Sequence, residues 1–569
     1  MTEQLKWWQT AVFYQIYPRS FADGDGDGIG DFQGIIGKLD YLQQLGIDAI
    51  WLSPHYPSPQ FDVGYDIADY IGVDPTYGTL DDFKRFLDGA HQRGMRVILD
   101  LVLNHTSDQH PWFIESRSSK DNAKSDWYVW QDGRSPQQPP NNWYSHFGGS
   151  AWTYEPARDQ YYYHFFFKEQ PDLNWRNPQL KQAMFDAIRF WLDLGVDGYR
   201  LDAIDTIFEH PHLPDHESEY TQVELYQLGQ AAQTEADHQK VRRAWEKMMT
   251  HQIIQPGIHE LFQEIRAIVD EYEDRLLVGE TDDVSYYGDG SNELHMTFNF
   301  PLLNPPRLTP AWIRQNQEER LALTPAGTWP CNTTGNHDRP RVYNRYGDGV
   351  HDEALARLNL ALMLTLRGAP FLYNGEEIGM TNLPLTDISQ FRDNVSVNAY
   401  NMMVELANMP TEQAVSQAAH YGRDQARTPM QWHNAPNGGF SPEGIETWLP
   451  VNPNYAEGIN VAEQEDDPHS LLNFYRRLLW LRRETPALII GDYQPLHEDA
   501  EDYLAFLRAT ADQSCLVVLN YADKAHELAF DWAADMKVVF SSEARAETAV
   551  NPQHLAIAPF EIFIGQLTP

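Results

Sequence analysis

The feature that most constrains this chain is a repeated alternation of short apolar runs with amphipathic segments. Strand-like apolar runs occur at residues 12–21, 47–54, 96–105, 196–204, 275–280, 295–300, 330–338 and 369–376. Helical periodicity marks 32–45, 79–93, 178–194, 256–272 and 353–366 between them, and 470–484 after the last. Strands that are apolar throughout and joined through helices pair in parallel and are covered on both faces. Eight of them favour a closed barrel over an open doubly wound sheet, and no Gly-x-Gly-x-x-Gly dinucleotide turn is present. The expected fold class is α/β: a (β/α)8 barrel with a small domain inserted after strand three and a C-terminal antiparallel β domain.

A chain of 569 residues exceeds what one core holds, so attachments to the barrel are expected. The reading places the first part of the barrel at 1–104. An inserted domain rich in Trp, Tyr, Phe, Pro and Gly follows at 105–176. The barrel resumes at 177–486, with a second insertion at about 381–455. The β-rich runs 503–508, 514–520, 536–541 and 560–566 form the C-terminal domain, 487–569.

With 82 acidic against 42 basic residues, the formal net charge is −40. Such a surface repels nucleic acid and anionic membranes, so neither is an expected partner. A small neutral substrate suits it better. No apolar run of about 18 residues is present, and residues 1–10 lack the basic and apolar regions of a signal peptide. Cys331 and Cys515 offer neither a disulfide framework nor metal-ligand spacing. The expected setting is the cytoplasm, for a monomer or a small homo-oligomer.

Chemistry gathers where the apolar runs end. Strand three finishes in Asp100 and Asn104-His105, strand four in Arg200 and Asp202, strand five in Glu280, and strand seven in Asn336-His337-Asp338. In a β/α barrel these C-terminal ends face one shared pocket. A lone Arg-x-Asp is more often a structural ion pair, but several apolar strands all ending in carboxylate or imidazole point to a catalytic site. Arg200 beside Asp202 predicts an ionised carboxylate, which is a nucleophile. The apolar run 276–279 before Glu280 predicts a protonated carboxyl able to act as an acid.

These residues carry a resemblance. Asp100-Leu-Val-Leu-Asn-His105, Asp197-Gly-Tyr-Arg-Leu-Asp202, Val278-Gly-Glu280 and Thr334-Gly-Asn-His-Asp338 resemble the four signature regions of the α-amylase family, glycoside hydrolase family 13. Gln170-Pro-Asp-Leu-Asn-Trp175, Phe61-Asp62-Val-Gly-Tyr65-Asp66 and the stretch from Gly422-Arg423 to Trp432 resemble its α-glucosidase and oligo-1,6-glucosidase branch. The resemblance implies a retaining mechanism, with Asp202 as nucleophile, Glu280 as general acid/base and Asp338 as the third carboxylate. It implies that Arg200, His105 and His337 hold the nucleophile and glucose hydroxyls. Asp62, Tyr65 and Arg423 would close the pocket around a terminal glucose, with Phe147 and Phe166 as aromatic walls. Within the family, valine after the nucleophile accompanies α-1,6 cleavage and smaller or hydroxylated residues α-1,4 cleavage. Ala203 therefore tilts the expectation towards short, maltose-like α-1,4 glucosides, with transglucosylation as a competing outcome. An oligo-1,6-glucosidase, or a sucrose- or trehalose-acting glucosyl-transferring enzyme, is the alternative. A transporter heavy chain of the family would lack the triad and carry a membrane span.

One further motif precedes the first barrel helix. In residues 23–31, Asp23, Asp25 and Asp27 alternate, glycine holds the sixth place, the Ile29 carbonyl would serve at the seventh, and Asp31 is ninth. This matches the first part of an EF-hand-type calcium loop, although Gly34 replaces the usual glutamate at the twelfth place. A structural calcium ion is expected, with magnesium as the alternative.

Overall fold

The computed structural model describes residues 5–135, 137–405 and 408–567. Eight parallel strands build its core: β1 (Phe13–Ile16), β2 (Ala49–Leu52), β3 (Arg96–Val102), β4 (Gly198–Asp202), β5 (Leu276–Gly279), β6 (Met296–Thr297), β7 (Cys331–Thr333) and β8 (Ala369–Tyr373). They lie in the order β7-β8-β1-β2-β3-β4-β5-β6, and a parallel bridge between Phe298 and Cys331 joins the two ends. The barrel closes there.

Alternation along each strand divides its side chains between two environments. Phe13, Trp51, Ile98, Val278, Met296 and Phe371 fill the interior, with Phe13 stacked on Phe371 at 4.1 Å between ring centroids. Tyr14, Ile50, Leu99, Leu201, Leu277 and Leu372 face the helices outside. The register pairs Asp100 with Arg200 and Val102 with Asp202, so the inward rows turn polar near the strand ends.

The strands are shorter than the apolar runs. The run 12–21 ends as a strand at Ile16, because Pro18 has no N–H for a ladder and opens a short helix, Pro18–Phe21. The segment 32–45 is two helices, Phe32–Ile36 and Leu39–Leu45, with Gly37 capping the first.

Three excursions crown the C-terminal face. A three-stranded antiparallel sheet (Trp130–Gln131, Gln160–Tyr163, Trp152–Glu155) follows β3 and is packed with aromatic rings. The helices Gln222–Ala231 and Glu235–Met249 follow β4, and Asn394–Glu405 and Thr411–Tyr421 follow β8. After the helix Leu471–Glu484, a six-stranded antiparallel sheet spans from Asp492–Leu496 to Ile562–Leu567.

Candidate active site

The strand ends converge on a cavity of ≈ 930 Å³ lined by Asp202, Glu280 and Asp338. Asp62, Tyr65, His105, Phe147, Phe166 and Arg423 line it too. Arg200 and His337 stand just behind the wall, both 1% exposed. All eleven residues singled out for catalysis or substrate binding thus belong to one site. An ion-pair network borders it. Arg423 Nη2 lies 2.7 Å from Asp62 Oδ1 and 2.7 Å from Asp393 Oδ1, and Gln170 Nε2 donates to Asp62 Oδ2 at 3.0 Å.

Arg200 is the centre of charge. Its Nη1 donates to Asp202 Oδ1 at 2.5 Å and Asp100 Oδ1 at 2.6 Å, and its Nη2 pairs with Glu280 Oε1 at 2.7 Å. One guanidinium therefore serves three carboxylates, and this corrects the expectation for Asp202. Burial pushes the Asp202 carboxyl well above the usual carboxylate range; Arg200 opposes this, but Glu280 and Asp100 add to it. Burial likewise raises Asp100 to about 6 against the pull of Arg200. An Arg-x-Asp spacing in the sequence could not show that Arg200 is shared.

Asp338 lies in the opposite electrostatic regime. Burial alone would raise its carboxyl, but His337, Arg427 and Arg423 outweigh that and hold it far below the usual range. Arg427 Nη2 donates to Asp338 Oδ1 at 2.7 Å, and its Nε to the His337 carbonyl at 2.8 Å. Burial keeps His105 neutral, with a pKa near 3, and depresses His337 well below its ordinary value. A polar chain fixes the His337 ring: the Gln15 amide reaches Nδ1 at 2.7 Å, Nε2 meets Tyr65 OH at 2.6 Å, and Tyr65 OH donates to Asp100 Oδ2 at 3.2 Å. The aromatic walls touch each other, with Phe147 and Phe166 at 5.4 Å and Phe166 edge-on to His105 at 5.3 Å.

Some site residues carried no assigned role in the sequence. Gln15 is a polar residue inside an apolar strand, which is a readable signal, whereas nothing local marks Asp393. Tyr226 and Trp245 also line the cavity, from two helices to which the sequence reading assigns no element. Both helices open on capping boxes, Thr221 with Glu224 and Thr234 with Asp237, and the second also carries apolar residues at helical spacing, Val241, Ala244, Trp245 and Met248.

In the acidic loop, ligand atoms of Asp23, Asp25 and Asp27 lie within 4.8 Å of one another. Asp31 is not part of that group. Its Oδ1 accepts from Gly34 N at 2.6 Å, and its Oδ2 from Asp25 N at 2.9 Å and Gly24 N at 3.1 Å, so it ties the loop to the following helix. Ile29 meets the loop through its N–H, which donates to Asp27 Oδ1 at 2.8 Å.

Comparison with known proteins agrees with this geometry. Residues 15–491 match the α-amylase catalytic domain. An oligo-1,6-glucosidase of Parageobacillus thermoglucosidasius is 39% identical over 538 residues, 91% of each chain. A probable alpha-glucosidase of Rhizobium meliloti is 40% identical over 527 residues, covering 91% of this chain and 90% of the relative. The structure of the trehalulose synthase MutB from Pseudomonas mesoacidophila superposes with a TM-score of 0.87 at 38% identity, over 99% of this chain and 100% of the other. An isomaltulose synthase from Erwinia rhapontici, solved with its natural substrate sucrose, gives 0.88 at 36% identity over the full length of both. By fold, site and sequence, this chain belongs to the α-amylase family of glycoside hydrolases.

Proposed function

We propose that this enzyme is a retaining, exo-acting α-glucosidase releasing glucose from the non-reducing end of short α-glucosides, with α-1,4 links preferred. The observation that carries the reading is one acid-lined cavity bordered by Asp62 and Arg423, which with Asp393 form an ion-pair network; in this reading that network blocks the cavity, so that a glucan chain ends there rather than passing through.

In this reading the ionised form of Asp202, favoured by Arg200 when the proton shared among the carboxylates sits on Glu280, attacks the anomeric carbon as Glu280 protonates the departing oxygen, giving a covalent glucosyl-enzyme. Glu280 then takes a proton from water, which completes hydrolysis, or from a sugar hydroxyl, which completes transglucosylation. Asp338, ionised by its cationic surroundings, and neutral His105 and His337 hold the glucose hydroxyls. Retention calls for the two reacting carboxyl groups to sit roughly 5–5.5 Å apart. Their common contact with Arg200 is consistent with such proximity.

Asp23, Asp25 and Asp27 would hold a structural calcium ion, or magnesium in its place, bracing the loop after β1 through anionic oxygens. The ion takes no part in bond cleavage. The two cysteines are buried and free, in keeping with a reducing cytoplasm. No helix among the described residues is long and apolar enough to cross a membrane.

A second reading, α-1,6 or sucrose-directed activity, is favoured by the names of the relatives and structural neighbours above. Glucose release from maltose, isomaltose and sucrose, assayed in parallel with product chromatography, decides between them. Rapid maltose cleavage with little isomaltose cleavage is the expected result. Dominant isomaltose cleavage, or isomerisation of sucrose, would overturn the linkage and keep the mechanism.

A further inference from the structure

Two arginines line the cavity, and only one is neutralised. Arg423 is held by Asp62 and Asp393. Arg339 follows Asp338 directly, is exposed and lines the cavity. Its backbone N–H meets the Asn336 carbonyl, but its guanidinium makes no hydrogen bond or ion pair among the described residues. Six residues on, Arg345 rests over the Tyr346 ring at 5.4 Å and has a buried Nη1 with no hydrogen-bond partner. Arg345 also lacks a carboxylate partner among the described residues. The two cations are near enough to repel, since the Arg339 charge, after burial, helps depress Arg345.

Position gives this pair its meaning. The residues expected to hold glucose, Asp62, Tyr65 and His105, are buried, so the exposed wall of the cavity is where a leaving group would lie. The same cavity lining includes Phe300 and Leu303, whose side chains are apolar and carry no acceptor. A planar guanidinium next to an apolar wall suits a flat or compact aglycone that ends in a pair of oxygens. The net charge of −40 repels anions at long range, but salt at about 0.15 M screens that field beyond about 8 Å. Within that range the cavity offers the unpaired Arg339 guanidinium as well as its carboxylates, Asp62, Asp202, Glu280 and Asp338.

We propose that Arg339, backed by Arg345, reads the leaving group and extends the substrate range to α-glucosides whose aglycone carries a carboxylate. This rests on the α-glucosidase reading above. The carboxylate would accept two N–H bonds from Arg339 while Glu280 protonates the glycosidic oxygen, so the chemistry at the anomeric carbon is unchanged.

The test compares kcat/KM for 4-carboxyphenyl and 4-nitrophenyl α-glucopyranoside in the wild type, Arg339→Gln, Arg339→Lys and Arg345→Gln, with melting temperature as a control for folding. The readout is the carboxyphenyl-to-nitrophenyl ratio, in which differences in leaving-group chemistry cancel between variants. The ratio should fall on the order of 10- to 100-fold in Arg339→Gln, less in Arg339→Lys, and several-fold in Arg345→Gln. Added salt should lower the wild-type ratio towards that of Arg339→Gln. A ratio within twofold of wild type in a folded Arg339→Gln variant, with the nitrophenyl glucoside still hydrolysed, would overturn this inference alone. A wild type that hydrolyses neither glucoside would overturn the α-glucosidase reading and this inference together.

Discussion

The Ala203 N–H donates to Glu280 Oε2 at 2.8 Å, directly after the residue that carries the opposing carboxylate, Asp202. Ala203 occupies the left-handed region (φ 44°, ψ 42°), which costs on the order of 1–2 kcal/mol and turns the chain sharply out of β4. With Arg200 on Oε1 as well, both Glu280 oxygens accept from fixed donors. A protonated Glu280 can keep both contacts, because a carboxyl oxygen retains a lone pair while its O–H points at the glycosidic oxygen.

Glu280→Gln keeps the shape and removes the proton donor. Hydrolysis of maltose should fall by roughly 10²–10⁴. Formation of the glucosyl-enzyme from 4-nitrophenyl α-glucopyranoside should fall much less, because nitrophenolate departs without protonation. Pre-steady-state bursts on both substrates separate these steps, and equal losses would remove Glu280 from the acid role.

Asp202→Asn removes the nucleophile while leaving an acceptor for Arg200. Turnover of every substrate should drop on the order of 10⁴–10⁶-fold, good leaving groups included. Binding of glucose, measured by calorimetry, should survive. Residual activity above a thousandth of wild type would exclude covalent catalysis by Asp202.

His55 provides a pH prediction away from the chemistry. Its ring stacks on Phe83 at 5.1 Å, and neither ring nitrogen has a hydrogen-bond partner among the described residues. Burial lowers its pKa to about 3, against about 6.5 when exposed. The unfolded chain therefore binds the proton more tightly, so this contribution to stability is intact above pH 6.5 and is lost as pH falls towards 3. Between pH 6.5 and pH 5 the loss is about 2 kcal/mol. His55→Phe should flatten the acid side of the stability curve by that amount, as measured by denaturant titration at both pH values. An equally steep variant would show that other groups set the slope.

The acidic loop predicts a cation effect on stability and none on the chemical step. Adding calcium to chelator-treated protein should raise Tm by several degrees, since an ion at about 100 Kd contributes about 2.7 kcal/mol. Asp25→Asn should weaken the response. A Tm indifferent to calcium and magnesium would leave the three carboxylates as an ordinary Asp-Gly turn.

The barrel was legible because its signals are local. Apolar runs of strand length, spaced by helices, need no long-range knowledge to be read, and the strand ends carry their own chemistry. Element limits were less legible, as at Pro18, where the loss of one N–H ends a strand that hydrophobicity alone would extend. The helix Gln222–Ala231 escaped because little of its surface is buried and its sequence lacks a strong apolar stripe, whereas Glu235–Met249 does carry one, at Val241, Ala244, Trp245 and Met248, within an otherwise highly charged segment.

The sequence by itself determined the fold, the family and the identity of the three central carboxylates. Those properties rest on residue types at fixed spacings along single strands. The tertiary structure alone decided the charge state around them. Asp100, Asp202 and Glu280 come from different strands and meet at one guanidinium; burial drives the Asp202 carboxyl up, and its two neighbouring carboxylates add to that against the pull of Arg200. Asp338 is driven down by Arg423 and Arg427, more than eighty residues further along the chain. Electrostatic energy depends on distance through space and on burial, and neither is written in the order of residues.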